Sequence, residues 1–451
     1  MPECLIQEAM LLLLVWLIAS VYGDWQLIRG AGKKRQARRP KARKRVRKKE
    51  RGFQGVTRKP ECAVCHQETI EPQVLRVPPP LMVSKKGRRR SVDSGMHYCP
   101  EKRCRYYGWV GRGNISSNGR PNGGAHRQLH CRACGTYFME TKGTIFYRKR
   151  YSAEQVTRAI AALAEGVGIR AVGRIFGVEP ETVLEWLVEA GEHLAAFNAW
   201  MTRELAVEQV QLDELYGVIR AYQAGELSEG EAIARLEGKR RGVWLWTAID
   251  PVSKFWLAFE VGDRGARHAW GLVHKVASTL REGIVPLFIT DGNRAYEQPL
   301  LSHYGTWREP QPGERKARWV PLPALQYAQV VKKRRRRRIV SVSKRVVFGS
   351  LTRIKEILAA HRWQINTAFV ERHNLTLRQH ITGLGRRVNT LAHSPQRLED
   401  QAHLAQAYYN FCLPSRSLAQ RTPAMAIGLT DRVWRLNEVL LFRPPPFPQA
   451  S

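Results

Sequence analysis

Four apolar runs between residues 207 and 290 restrict the folds open to this chain of 451 residues. Three of them, at 207–218, 243–249 and 255–261, are rich in Val, Trp, Phe and Leu, which is typical of β-strands. A helical pattern at 269–280 leads to a fourth run at 284–290, and helical patterns dominate again from Leu351 onward. Strands interleaved with helices predict an α/β region built on one mixed sheet.

Two aspartates interrupt or follow these strands. Asp213 lies inside an apolar run, where a carboxylate buried without compensation would cost several kcal/mol. Asp291 follows the strand at 284–290 and precedes Gly292, so it lies at the carboxyl end of a strand, where α/β sheets place their ligands. Both positions therefore indicate a partner that favours negative charge.

A third acid lies on a helix that is predicted to begin near Thr367. On this helix Glu371, Asn374 and Arg378 share one face, because residues spaced by three or four positions stack above one another. A face that combines a carboxylate, an amide and a guanidinium packs poorly in a core. It is typical of an active site.

Asp213, Asp291 and Glu371 together provide the ligands of a two-metal site. Two divalent ions about 4 Å apart can activate an attacking oxygen and stabilise the leaving oxygen of a phosphoryl transfer. Hard oxygen ligands select Mg²⁺ or Mn²⁺. We therefore predict that these three acids form a catalytic triad, with Arg372, Asn374 and Arg378 supporting the metal ligands or the scissile phosphate.

Three other acids rank below this triad. Glu214 is adjacent to Asp213 in a strand, so it is expected to point to the opposite face. Asp250 precedes Pro251 and is explained by turn formation, and Asp263 ends the third strand.

The charge of the chain indicates a polyanionic partner. With 74 Lys and Arg against 39 Asp and Glu, the formal net charge is +35, which points to nucleic acid first and to an anionic membrane surface second. Thirteen of the nineteen residues at 33–51 are Lys or Arg, and they predict a disordered arm that binds phosphate, the alternative being a solubilising tail. A second basic block is predicted as a loop that contacts the DNA backbone, through Lys332, Lys333, Arg334, Arg335 and Arg336.

The cysteines indicate metal rather than disulfides. Six of the eight fall in close pairs between residues 62 and 134, which implies a reducing compartment. We predict a zinc ribbon with four thiolate ligands, Cys99, Cys104, Cys131 and Cys134. The pair Cys62 and Cys65 is ambiguous. It could join His97 or His130 in a second zinc site or bind no metal, while its match to a haem-attachment motif carries little weight beside a basic arm.

Residues 153–194 carry three helical patterns. Ser152 is a good N-cap for the first helix, the second spans 169–176, Gly177 forms the turn, and Pro180 begins the third. This succession predicts a helix-turn-helix that binds DNA. The residues expected to contact DNA are Arg170, Arg174 and Thr182. The alternative is a plain helical bundle that joins two domains.

The N-terminal apolar segment at 9–22 falls short of the roughly twenty residues that span a bilayer. Glu3 and Glu8 replace the basic flank of a signal peptide, and the basic run that follows would resist translocation. We expect no stable membrane insertion, and a helix that packs on the protein or on a partner subunit.

Three motifs together resemble the insertion sequence 1 family of bacterial transposases. The motifs are Gln211-Leu212-Asp213-Glu214, Thr290-Asp291-Gly292, and Glu371-Arg372 followed by Asn374-Leu375-Thr376-Leu377-Arg378. The resemblance extends over about residues 99–410, while residues 1–98 and a helical pattern at 222–239 are additions. It implies a ribonuclease-H-like catalytic domain with an Asp-Asp-Glu triad, preceded by a zinc ribbon and a helix-turn-helix.

The predicted organisation is an apolar segment and basic arm at 1–58, a cysteine-rich ribbon at 59–150, a helix-turn-helix domain at 151–205, a catalytic domain at 206–430 and a C-terminal tail at 431–451. The predicted function is a DNA transposase, located in the prokaryotic cytoplasm with the nucleoid. It would cleave element ends, transfer strands to double-stranded target DNA, and act as a homo-oligomer by analogy. The alternatives are a non-catalytic DNA-binding regulator derived from a transposase and a structure-specific nuclease of the same fold.

Overall fold

A computed structural model describes residues 77–81, 92, 96–218, 242–310, 316–336, 338–385, 392 and 394–446. Four predicted features lie outside these residues: the apolar segment at 9–22, the basic arm at 33–51, the Cys62 and Cys65 pair, and the helical pattern at 222–239. Their predictions therefore stay predictions.

The central element is a mixed sheet of six strands in the order β11-β10-β7-β4-β5-β6. The strands are β4 (Gln209–Val218), β5 (Gly242–Ile249), β6 (Trp256–Gly262), β7 (Leu287–Asp291), β10 (Gln326–Arg335) and β11 (Arg338–Phe348). β4, β5 and β6 pair antiparallel, whereas β7 is parallel to both β4 and β10. The predicted α/β class with one mixed sheet is confirmed.

The basic block is the main correction to the predicted architecture. It was expected in a loop, but Lys332, Lys333 and Arg334 lie in β10, which pairs antiparallel with β11. Long charged side chains suit a strand that faces solvent, and no apolar alternation marks such a strand in the sequence. A small two-stranded sheet, β8 (Gly305–Arg308) and β9 (Arg318–Pro321), precedes this hairpin.

Helices cover both faces of the sheet. They are α4 (Ala266–Thr279), α5 (Glu297–His303), α6 (Leu351–Ala359) and α7 (Ala368–His380). One buried cluster joins Leu272 of α4 to Phe288, and another joins Ile354 of α6 to Ile289. Because Phe288 and Ile289 are neighbours in β7, α4 and α6 pack on opposite faces.

Three helices precede the sheet and begin at the predicted residues, while the third extends past residue 194 to Met201. They are α1 (Ala153–Ala164), α2 (Ile169–Phe176) and α3 (Pro180–Met201). The Ser152 hydroxyl accepts a hydrogen bond from Gln155 N at 3.1 Å, as expected of an N-cap. Gly177 adopts φ +64° at the turn, a conformation that glycine reaches without steric cost. Their apolar faces belong to the same buried cluster as the sheet, through residues such as Trp186 and Leu212.

The cysteine-rich segment folds into a three-stranded sheet: β1 (Ile115–Ser117), β2 (Gln128–Cys131) and β3 (Tyr137–Met139). Tyr106, Leu129 and Phe138 pack with the cysteines in a small core. Tyr137 is 55% exposed, and its ring stacks on His130 with centroids 4.4 Å apart. The next residue, Phe138, takes the inward position because strand residues alternate.

The chain continues through α8 (Pro395–Ala407), a π-helical turn, α9 (Pro423–Ala426) and α10 (Leu436–Leu441). The predicted C-terminal tail contains α10, whose Leu436, Val439 and Leu440 are buried in the main core. Among the described residues, no helix is long and apolar enough to cross a membrane.

Candidate active site

Asp213 and Asp291 lie side by side because β4 and β7 run parallel. The last residues paired in register are Leu212 and Thr290, and the two aspartates follow them directly. Their carboxylate oxygens lie within 4.8 Å of each other. The sheet therefore brings together these two acids, which are far apart in sequence.

Glu214 also belongs to this group, which corrects its lower ranking. One of its carboxylate oxygens lies within 4.8 Å of those of Asp213 and Asp291, and its side chain is only 2% exposed. Since β7 ends at Asp291, a long side chain can reach past the end of the sheet even when it leaves β4 on the other face. Asn293 donates to Glu214 Oε1 at 2.7 Å, and the Arg264 guanidinium lies 3.4 Å from Oε2.

Burial and mutual repulsion disfavour the charged forms of Asp213 and Glu214. Burial, followed by the nearby carboxylates of Asp291 and Glu214, raises the pKa of Asp213 to about 7. Burial and Asp291 likewise raise the pKa of Glu214, against the hydrogen bond from Asn293. A divalent cation would relieve this repulsion, and carboxylate oxygens are the ligands that Mg²⁺ and Mn²⁺ prefer. The group fits such an ion.

α7 is attached to β4 by a glutamine. Gln211 donates through Nε2 to Asn366 O and accepts through Oε1 from Val370 N, both at 3.0 Å. Gln211 and Asp213 lie two positions apart, so they share a face of the sheet, and α7 lies over it. In consequence Asn374 donates from Nδ2 to Asp213 Oδ2 at 2.8 Å.

Glu371 lies near the acidic group but pairs with a lysine. Its carboxylate adds to the rise in the pKa of Asp213, whereas its Oε1 accepts hydrogen bonds from Lys332 Nζ and, at 2.5 Å, from Thr367 Oγ1. Its side chain is 48% exposed. The structure thus brings Asp213, Asp291 and Asn374 into contact, with Glu371 held beside them by Lys332.

The other predicted supporting residues lie further from the carboxylates. Arg378 donates to the carbonyl oxygens of Leu384 at 2.6 Å and Tyr216 at 3.4 Å, and so connects α7 to the following turn. Arg372 is exposed on the same helix. Asp250 accepts hydrogen bonds from Val252 N and Ser253 N, both at 3.0 Å, which agrees with its interpretation as a turn residue.

The ribbon cysteines form a second candidate metal site. Their sulfur atoms all lie within 4.8 Å of one another, and Cys99, Cys104 and Cys131 are buried while Cys134 is exposed. The sulfur atoms are 3.6 Å apart for Cys99 and Cys134 and 3.9 Å apart for Cys104 and Cys131. Four thiolates around a tetrahedral zinc ion, at about 2.3 Å each, stand about 3.8 Å from one another. The predicted cysteines are therefore suited to zinc.

Cys99 and Cys104 need a cation to ionise in this setting, whereas hydrogen bonds with Thr136 outweigh burial and lower the pKa of Cys134 to about 7. Burial raises the pKa of Cys99, and it raises the pKa of Cys104 to about 11. Asn114 Nδ2 donates to Cys131 Sγ at 3.4 Å, a contact of the kind that orients metal ligands. A bound zinc ion would hold all four sulfurs as thiolates.

The residues predicted to bind DNA occupy two surfaces. Arg170 and Arg174 are exposed on α2, and Thr182 is half-buried at the start of α3. On the hairpin, Lys333, Arg335 and Arg336 are exposed and Lys332 is half-buried, while the side chain of Arg334 lies outside the described part of the chain.

Two features of this site escaped sequence reasoning. The role of Lys332 depends on its pairing with Glu371, which is 39 positions away. Glu214 was visible only as a second acid beside Asp213, and strand alternation argued against it. The sequence evidence for Glu214 lay in the motif Gln211-Leu212-Asp213-Glu214, because its first residue, Gln211, and its last residue, Glu214, both contact the site.

Comparison with known protein-family models gives no match, and no curated protein matches the chain. Among solved structures, the chain has a distant likeness to the crystal structure of a pre-cleavage Mos1 transpososome. The sequences are 11% identical, the TM-score is 0.14, and the match covers 34% of this chain and 58% of that chain. The chain thus spans less than two thirds of the structure that it matches, and a TM-score of this size establishes no relationship.

Proposed function

We propose that this protein is a DNA transposase of the Asp-Asp-Glu type, similar to the insertion sequence 1 family. The observation that carries the proposal is the convergence of Asp213, Glu214 and Asp291 within 4.8 Å at the end of β7, with Glu371 on the adjacent helix α7. Acids clustered this tightly, in a chain with net charge +35, suit metal-dependent chemistry on a polyanion.

Each residue has a defined task in the proposed reaction. Asp213 and Asp291 would hold divalent metal ions, and Asn374 orients Asp213 through its 2.8 Å hydrogen bond. Glu371 would complete the ligand set once it separates from Lys332. The bound ions supply Lewis acidity to the attacking and leaving oxygens. Water would cleave the phosphodiester at an element end, and the freed 3′ hydroxyl would then attack target DNA.

The remaining parts of the chain would bind the DNA. The zinc-ribbon segment, the helix-turn-helix with Arg170, Arg174 and Thr182, and the two basic blocks would contact element ends and target as double-stranded DNA. Pairing two ends would need a homo-oligomer, and the protein would act at the nucleoid of a prokaryote. The domain boundaries predicted from the sequence are part of this proposal.

The proposal is tested with purified full-length protein, Mg²⁺ and DNA from the ends of the element that carries the gene. Asp213→Asn, Asp291→Asn and Glu371→Gln should each abolish cleavage while end-DNA affinity stays equal or rises, because one negative charge near phosphate is removed. Asp431→Asn, an exposed acid outside the site, is the matched control and should cleave normally.

The reaction products distinguish the transposase from the alternative functions. Joining of the 3′ end to target DNA identifies a transposase, whereas cleavage without joining would identify a structure-specific nuclease. Tight binding to element ends without cleavage in Mg²⁺ or Mn²⁺ would identify a DNA-binding regulator. Full Mg²⁺-dependent activity in any triad variant would exclude that residue from the site.

A further inference from the structure

The hairpin of β10 and β11 extends beyond the sheet that supports it. β10 pairs with β7 only from Gln326 to Val330, whereas its pairing with β11 continues to Arg335 and Arg338. Residues 331–335 and 338–343 therefore form a two-stranded extension, which we name the basic ribbon. It begins where β7 ends at Asp291, beside the carboxylates.

The basic ribbon has two different faces, because Cα partners in a ladder share a face. Lys332 pairs with Val342 and Arg334 with Ile339, while Lys333 pairs with Ser341 on the other side. Val330, two positions before Lys332, is buried against α6, and Lys332 itself reaches Glu371 on α7. The face that carries Val342 and Ile339 is therefore continuous with the candidate active site.

That face carries exposed apolar side chains. Ile339 is 51% exposed and Val342 is 55% exposed, and the adjacent Val340, skipped by the ladder at a bulge, is 60% exposed. Exposed β-branched side chains on an edge ribbon are an aggregation hazard unless a partner covers them. In the part of the chain that the structure describes, these three side chains stay uncovered.

The positive charge of the basic ribbon indicates which partner covers it. Lys333, Arg335 and Arg338 are exposed on the same ribbon, on the face opposite Ile339 and Val342. A second copy of the ribbon would bring two such groups of cations close together, and like charges repel each other. A polyanion removes that repulsion and releases its counterions. Duplex DNA offers phosphates at the walls of a groove and apolar methyl groups on its floor.

We propose that the basic ribbon lies in the major groove of the duplex next to the scissile phosphate. The major groove, about 12 Å wide, admits a two-stranded ribbon, whereas the minor groove of about 6 Å does not. Ile339 and Val342 contact thymine methyl groups, and the surrounding Lys and Arg side chains contact phosphates. This inference rests on the proposed function, because it takes the duplex as the substrate of the adjacent carboxylates.

The test measures binding of the full chain to a thymine-rich duplex and to a copy with uracil for every thymine. The buffer contains no added Mg²⁺ or Mn²⁺, so that no cleavage occurs, and no chelator, because a chelator would remove zinc from the ribbon cysteines. The wild-type protein should bind the uracil duplex about four-fold less tightly for each methyl group contacted, the effect of roughly one buried methylene. The double variant Ile339→Ser/Val342→Ser should lose this preference and keep its salt dependence, since no cation is removed.

Ser341→Ala/Ser343→Ala, on the other face, is the matched control and should keep the preference for thymine. Protection of guanine N7 from methylation by the wild-type protein, lost in the double variant, would support major-groove contact. Equal affinity of the wild-type protein for both duplexes would overturn the proposal. Self-association without DNA that disappears in the double variant would also overturn it, by assigning the surface to a second copy. Because binding is measured without Mg²⁺ and cleavage is measured with it, a thymine preference without Mg²⁺-dependent cleavage would contradict only the proposed function.

Discussion

The ammonium group of Lys332 on β10 forms an ion pair with the carboxylate of Glu371 on α7. The same carboxylate oxygen accepts a hydrogen bond from Thr367 Oγ1 at 2.5 Å, so both partners fix its position. Lys332 therefore provides Glu371 with the positive charge that a bound metal ion would otherwise provide. Metal binding and this ion pair compete for one carboxylate.

Lys332→Met should therefore lower the Mg²⁺ concentration that gives half-maximal cleavage, by several-fold, because the competing cation is removed while the length of the side chain is kept. Thermal stability should change little, since exposed ion pairs contribute about 0–1 kcal/mol. Lys344→Met, which removes an exposed cation of β11, is the control. An unchanged Mg²⁺ requirement would show that Lys332 does not compete with the metal.

Glu214→Gln should raise the Mg²⁺ concentration that gives half-maximal cleavage by about ten-fold or more, the usual effect of altering a group at a metal site. A glutamine can still accept the hydrogen bond from Asn293 through its carbonyl oxygen. A purely structural role for Glu214 would therefore leave the metal requirement unchanged. Glu356→Gln, an exposed acid on α6, should behave as wild type.

Cys131→Ser should lower the zinc content by one ion per chain and unfold the three-stranded sheet β1–β3, because zinc binding contributes directly to the folding of such small sites. Metal analysis and proteolysis would measure both effects. Cys412→Ser is the matched control, since this thiol lies outside the cluster. Freshly purified wild-type protein without zinc would contradict the ribbon assignment, whereas two ions per chain would support a second site at Cys62 and Cys65.

Deletion of residues 33–51 should weaken binding to specific and non-specific DNA nearly alike. Each phosphate that the arm neutralises contributes about 0.9 units to the slope of log affinity against log salt, so the slope should fall by several units. Titrations over a series of salt concentrations would measure it. If the slope does not change, the arm is only a solubilising tail.

Local interactions explain what the sequence could predict. α2 ends at Gly177 and α3 begins at Pro180, and Ser152 caps α1 through a contact three residues away. The apolar alternation of β4, β5 and β6 reflects burial along each strand, which is present in the residues themselves. Cysteine spacing likewise predicted the thiolate cluster. The two cysteines of a close pair can bind the same ion, because the short segment between them allows little conformational freedom.

Tertiary structure decided the rest of the site. Only the parallel pairing of β4 with β7 puts Asp213 beside Asp291, and only the early end of β7 lets Glu214 join them. The β10–β11 hairpin was not predicted, since its exposed cations give no apolar period, and its pairing with β7 brings Lys332 to Glu371. Local patterns record which residues prefer burial, whereas contacts between distant residues depend on strand order and on where each strand stops.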